Sequence, residues 1–158
     1  SASRRIRMTK TEFRNSRYNL AMINPKIFKA YDIRGKYPEE INEEAVFEIS
    51  KAIGGYFAKR TEDGGKRKAG IVVGHDARLS SPMLYKAVLK GIGHQALSIK
   101  IIEAGTMTTP MLYFLVNKLK ADGGIMVTAS HNPKEYNGLK IVGGKAVPMS
   151  GKEIGELI

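Results

Sequence analysis

The stretch Ile125-Met126-Val127-Thr128-Ala129-Ser130-His131-Asn132-Pro133, answered seven residues after Ser130 by Asn137-Gly138-Leu139-Lys140, decides how this chain is read. A short apolar run leads into a polar turn that ends in proline. Such a run, bounded by turn residues, is a buried strand, and its unbroken apolar character suits a strand covered on both faces. Asn137-Gly138 is a second turn, and residues 139–142 after it read as another short strand. A serine therefore stands at the rim of a sheet, and a lysine returns towards it.

Outward from there, strands and helices alternate. Residues 27–31 are expected as a strand, with Asp32-Ile33-Arg34-Gly35 as the turn after it. Asn42 caps a helix whose Glu43 and Glu44 face its positive end and whose apolar residues, from Ala45 to Phe57, recur at helical spacing. Ile71-Val72-Val73 is a buried strand, and Ser81-Pro82 opens a second helix. Residues 98–103 form a third strand, Thr109-Pro110 opens a third helix, residues 125–128 are the fourth strand, and Ser150 caps a last helix. This order predicts an α/β fold, a three-layer α/β/α sandwich on a mainly parallel, mixed sheet. Ligands of such sheets bind beyond the carboxyl ends of the strands. The polar segments 32–35, 74–80 and 128–137 are expected to converge there.

The chain has 158 residues, enough for one domain with a real core. It has no cysteine, which excludes disulfides and thiolate metal sites, and no apolar stretch long enough to span a bilayer. The formal net charge is +11, of which residues 1–20 carry +5 and the other 138 residues +6. The body is thus moderately basic, which suits anionic ligands in general. Residues 1–24, Arg- and Ser-rich, read as a poorly ordered basic tail or as residues left from expression, with Met8 or Met22 a natural start. The domain proper is expected over 25–158.

A serine hydroxyl needs a base, a metal or an activated partner to act as a nucleophile. Hydrolases present it in Gly-x-Ser-x-Gly, but Thr128 and Asn132 hold those glycine positions here. Phosphoryl transfer suits the surroundings better. Ser130 can carry the group, and Arg34 and Lys140 can offset its charge. Gly143-Gly144-Lys145 is followed by Ala146 and fails the spacing of a nucleotide-binding P-loop. Among the remaining readings, His94 is a surface or core residue, and His75 with Asp76 lacks a third metal ligand.

Four ordered segments now add up. They are residues 28–35 (Phe-Lys-Ala-Tyr-Asp-Ile-Arg-Gly), 74–80 (Gly-His-Asp-Ala-Arg-Leu-Ser), 109–114 (Thr-Pro-Met-Leu-Tyr-Phe) and 128–140. With them the chain resembles the amino-terminal domain of the α-D-phosphohexomutases, in the phosphomannomutase/phosphoglucomutase branch. The resemblance implies that Ser130 is a phosphoserine that exchanges its phosphoryl group with a hexose phosphate, such as mannose or glucose 1- or 6-phosphate, through a 1,6-bisphosphate. It implies Mg²⁺ against the phosphoserine oxygens, Tyr31 and Arg34 in the substrate-binding loop, and Lys140 as general acid/base. It implies an active-site role for His131, while Asp76 and Arg78 are expected to brace the loop.

Enzymes of this kind have four domains, with the aspartate-rich metal loop, the sugar-reading loop and the main phosphate loop in the other three. This sequence contains only the first. It is therefore expected to be a fragment, cytoplasmic, inactive alone, and partnered by its missing domains. Two other classes compete: a basic nucleic-acid-binding module, resting on the charge and on Lys66-Arg67-Lys68, and a serine hydrolase using Ser130. The first lacks any recognition motif or aromatic platform.

Overall fold

The computed structural model describes residues 23–61, 67–95 and 97–158. The expected disorder of the tail falls on residues 1–22, outside the described residues. Ile23 and Asn24, assigned to that tail from sequence, belong to the fold. Ile23 is buried in the core, and the Asn24 side chain accepts from the Lys26 amide to cap a 3-10 turn at Pro25–Ile27.

That turn corrects the first strand. Pro25 and its cap hold residues 25–27 in a helical turn, and Phe28 makes only an isolated bridge to Ile33. Residues 29–32 bend, closed by a Lys29 amide bond to the Asp32 carbonyl (2.8 Å). The strand β1 is Ile33–Lys36, where sequence reading had placed a turn. The alternation that matters is Ile33 inward and Arg34 to the opposite face, not that of residues 27–31.

The elements that follow match the expected order: α1 (Glu43–Ala58), β2 (Ala69–His75), α2 (Ser81–Gly93), β3 (Ile99–Thr106), α3 (Thr109–Lys118), β4 (Gly123–Val127), β5 (Tyr136–Gly143) and α4 (Gly151–Gly155). Asn42 caps α1 through its side chain, and Ser150 caps α4 in a full capping box with Glu153. In α2 the cap position is Ser80, one residue before the one expected, and no side chain caps it. Ser81 Oγ is engaged elsewhere, as the site below explains.

The sheet has five strands in the order β1-β5-β4-β2-β3. The pairs β4/β2 and β2/β3 are parallel, and β5 runs antiparallel to both β4 and β1. Four strands thus share one direction and β5 alone opposes it. The short link between β4 and β5 permits only an antiparallel return.

Strand periodicity divides the core in two. Ile71, Val73, Ile125, Val127, Leu139 and Ile141 face α1 and α2. Val72, Met126 and Val142, one residue out of step, face α3. Burial on both faces makes the three-layer α/β/α sandwich. The two helices on the first face touch closely at Gly91, where a Cβ would lie 2.5 Å from the Phe47 carbonyl oxygen. Among the described residues no helix is long and apolar enough to cross a membrane.

Candidate functional site

Ser130 follows β4 at the carboxyl rim of the sheet and is exposed. Its backbone is left-handed (φ 53°), a conformation that a residue with a Cβ resists. The surroundings hold it there. The Ser130 amide donates to Thr128 Oγ1 (2.9 Å), and that hydroxyl donates in turn to Asp76 Oδ2 (2.8 Å). Asp76 comes from the loop after β2, so two neighbouring strand ends are joined through one threonine.

Arg78 is the second anchor. Its Nη2 donates to the carbonyls of Ser130 (2.7 Å) and Asn132 (2.8 Å), and its Nη1 to those of Pro133 (2.7 Å) and Tyr136 (3.1 Å). One guanidinium thereby gathers four carbonyls of the serine loop. Its Nε donates to Asp76 Oδ2 (3.1 Å), which fixes the fork. Asp76 also accepts from the Arg78 amide (3.1 Å) and from Ser81 Oγ (2.5 Å). Hydrogen bonds to charged groups are the strong ones, and here they all converge on a loop that must stay strained.

The far side of the loop is pinned by Asn137, which is fully buried. Its Nδ2 donates to Ser80 Oγ (2.8 Å) and Ser81 Oγ (3.0 Å), and its Oδ1 accepts from the Gly138 amide (2.9 Å). Ser81 is thus drawn to Asp76 and Asn137, which explains why it does not cap α2. Gly138 must be glycine because a Cβ there would lie 2.0 Å from the Ile33 carbonyl oxygen. That close approach sets β1 against β5.

The same pairing positions the cations. Ile33 is opposite Leu139 and both point to the core, so Arg34, opposite Gly138, projects from the other face. Lys140, two residues beyond Gly138, shares that face. Its position is diagonal to Arg34, within reach of long side chains. The Arg34 guanidinium donates to Asn132 Oδ1 and to Asp32 Oδ2, tying β1 to the serine loop. The Lys140 side chain is half-buried and makes no hydrogen bond or ion pair with a described residue.

The segments 32–35, 74–80 and 128–137 therefore meet. His131 is exposed, and its Nδ1 lies 3.4 Å from Ser130 Oγ, a long contact. No described carboxylate bonds to the His131 ring, so the orienting third member of a hydrolase triad is missing among the described residues. Tyr31 is 76% exposed on the bend before β1. Thr128, Asn132, Asn137 and Ser81 were not singled out from sequence. The only signal was their density of hydroxyl and amide groups beside two turns.

A family profile described as phosphoglucomutase/phosphomannomutase, alpha/beta/alpha domain I, matches residues 25–158. Phosphohexose mutases of Xanthomonas campestris pv. campestris are 44% identical over 123 residues, 78% of this chain and 25% of the relative. A phosphomannomutase of Klebsiella pneumoniae is 41% identical over 124 residues, 78% of this chain and 72% of the relative. A solved phosphoglucomutase/phosphomannomutase family protein of Burkholderia thailandensis superposes with a TM-score of 0.72 at 33% identity, covering 86% of this chain and 30% of that one. The chain spans about a quarter of the length of the first of these relatives. With profile match, superposition and sequence identity in agreement, the chain belongs to the phosphoglucomutase/phosphomannomutase family, as its alpha/beta/alpha domain I.

Proposed function

We propose that this domain supplies the phosphoryl-carrying serine of a cytoplasmic phosphohexomutase that interconverts hexose 1-phosphate and hexose 6-phosphate. The observation that supports it is the exposed Ser130, held in left-handed backbone by Thr128 and by the Arg78 fork. A side chain projecting from such a loop can receive and release a group without the loop moving.

In the resting enzyme Ser130 Oγ bears the phosphoryl group. The free hydroxyl of a bound hexose phosphate attacks phosphorus, so that a sugar O–P bond forms as the Ser130 O–P bond breaks. The unprotonated amine of Lys140 accepts the hydroxyl's proton, and the ammonium so formed gives it to the released serine oxygen. The resulting 1,6-bisphosphate reorients and returns its other phosphoryl group to Ser130 by the reverse exchange. Arg34, on the face shared with Lys140, offsets phosphate charge, and Tyr31 contributes to the substrate loop. His131 lies beside the reacting oxygen.

The relationship also implies Mg²⁺, which would supply charge neutralisation at the phosphoryl oxygens. The described side chains do not make a complete site for it. They contain no group of three or more potential ligands. Asp76 is engaged by Arg78, Ser81 and Thr128, and Asp32 by Arg34. A phosphorylated Ser130 would be the contribution of this domain, and no step here is routed through the ion.

Peptide mapping by mass, on the chain as purified and after incubation with glucose 1,6-bisphosphate, tests the assignment. Phosphate is expected on Ser130 and absent from Ser130→Ala. Phosphate on a different residue overturns it, as does labelling of Ser130 by an acyl-serine trapping reagent. Conversion of mannose 1-phosphate to 6-phosphate by the isolated chain is expected to be negligible; brisk turnover would refute the need for other domains.

A further inference from the structure

The opposite edge of the sheet, where β4 begins and β5 ends, carries a second charged concavity of about 790 Å³. Four cationic residues line it: Arg60, Arg67, Lys120 and Lys145. Its two carboxylates are already engaged. Asp122 accepts from both Nη atoms of Arg67 (2.8 Å each), and Glu153 accepts from the Ser150 amide and hydroxyl (2.7 Å each). Arg60 lies over the Tyr56 ring, 4.9 Å from its centroid. The side chains of Lys120 and Lys145 are exposed and make no hydrogen bond or ion pair with a described residue.

The backbone adds a second observation. Among the described residues, four that are not glycine have left-handed φ: Lys120 (48°), Ser130 (53°), Lys145 (59°) and Ala146 (57°). One of these is the serine of the rim, and the other three are at or beside this cavity. Glycine would hold such turns with less strain, yet the chain carries lysine at two of them. Gly144–Ala146 form a single 3-10 turn. The amides of Gly144 and Lys145 donate to no described residue outside the regular elements. Consecutive unpaired amides on a tight turn form an anion-binding concavity, here flanked by ammonium groups. Residues 143–145, which fail as a P-loop by spacing, line this cavity.

We propose that this cavity is a binding site for a compact multivalent oxyanion of the diphosphate class, remote from Ser130. The cations line a hollow, which suits a small anion better than an extended nucleic-acid backbone.

Isothermal titration of the 158-residue chain with inorganic pyrophosphate, at neutral pH and low salt, tests it. The informative variant is the double Lys120→Gly, Lys145→Gly, because glycine accepts both turns and the fold should survive the loss of charge. Saturable binding is expected, weakening as salt rises. The double variant should bind roughly tenfold more weakly or worse, and Ser130→Ala should bind as the parent does. Three results overturn the proposal. One is the absence of saturable binding at millimolar pyrophosphate. Another is loss of binding in Ser130→Ala with retention in the double variant, which would put the anion at the rim. The third is displacement of pyrophosphate by a much tighter single-stranded oligonucleotide.

Discussion

The two ends of this sheet both hold non-glycine residues in left-handed backbone, and they do so by different means. At the carboxyl rim, Ser130 is fixed by long-range side-chain bonds. Thr128 reaches Asp76, and Arg78 reaches four carbonyls 52 to 58 residues away in sequence. At the amino edge, Lys120 and Lys145 sit in local turns closed by their own neighbours, such as the Ala121 amide on the Val116 carbonyl (2.9 Å). The rim is over-determined by tertiary structure, whereas the amino edge rests on local turn geometry. Strain that carries chemistry needs the first arrangement, because a loop that relaxes loses the aim of its serine.

Removing the tertiary anchor should break the contrast most sharply. Asp76→Ala deletes the acceptor shared by Arg78, Ser81 and Thr128 and leaves the Arg78 charge, 14% exposed, without its carboxylate. We expect a stability loss of about 3 kcal/mol by urea unfolding. Amide exchange should accelerate over residues 128–137 and stay unchanged at 143–147. A loss below about 1 kcal/mol, the ordinary scale of a mutation that breaks no network, would mean that the rim does not depend on it.

A smaller effect of opposite sign is expected at the serine itself. Ser130→Gly keeps the amide bond to Thr128 and removes the Cβ that resists φ 53°. The chain should gain about 0.5–1 kcal/mol, the left-handed penalty less the greater entropy of unfolded glycine. Phosphate incorporation should disappear at the same time. Stability rising as function is lost is the mark of strain kept for chemistry. If the variant is less stable than the parent, the Ser130 side chain itself supports the loop, and the contrast between the two ends weakens.

Much of this architecture was legible in the residue order. The apolar runs 71–73 and 125–127 gave two central strands, and Asn42 and Ser150 marked their helices correctly. The strand expected over 27–31 failed because Asn24 and Pro25 form a capped turn, a local interaction stronger than weak alternation over five residues. Ser130, Arg34 and Lys140 were singled out through motif spacing. What spacing could not convey was which bonds each would make. Arg34 bonds Asp32 and, from 98 residues away, Asn132. The left-handed serine was equally hidden, since φ at a non-glycine residue is fixed by the contacts around it. The amino-edge cavity draws on residues from α1, α3, β5 and α4, a juxtaposition that exists only after folding.

The amino edge should also respond to acid, through Asp122. Burial pushes this carboxyl up, but the Arg67 fork, the Gly70 amide and its own amide outweigh burial and hold it below the usual carboxylate range. A group depressed on folding stabilises the native state fully above its unfolded value, about 3.9. That contribution drains away as pH falls through the lower folded value. Arg67 is 43% exposed, so solvent screens the pair and the contribution should be about 1 kcal/mol or less. Asp122→Asn therefore should lower the urea midpoint at pH 7 slightly and flatten its decline as pH falls below about 4. Some decline should remain, because the Ser150 amide and hydroxyl hold Glu153 low as well. Parallel declines in parent and variant would show that Asp122 gains nothing from its fork, leaving the amino edge to its backbone turns alone.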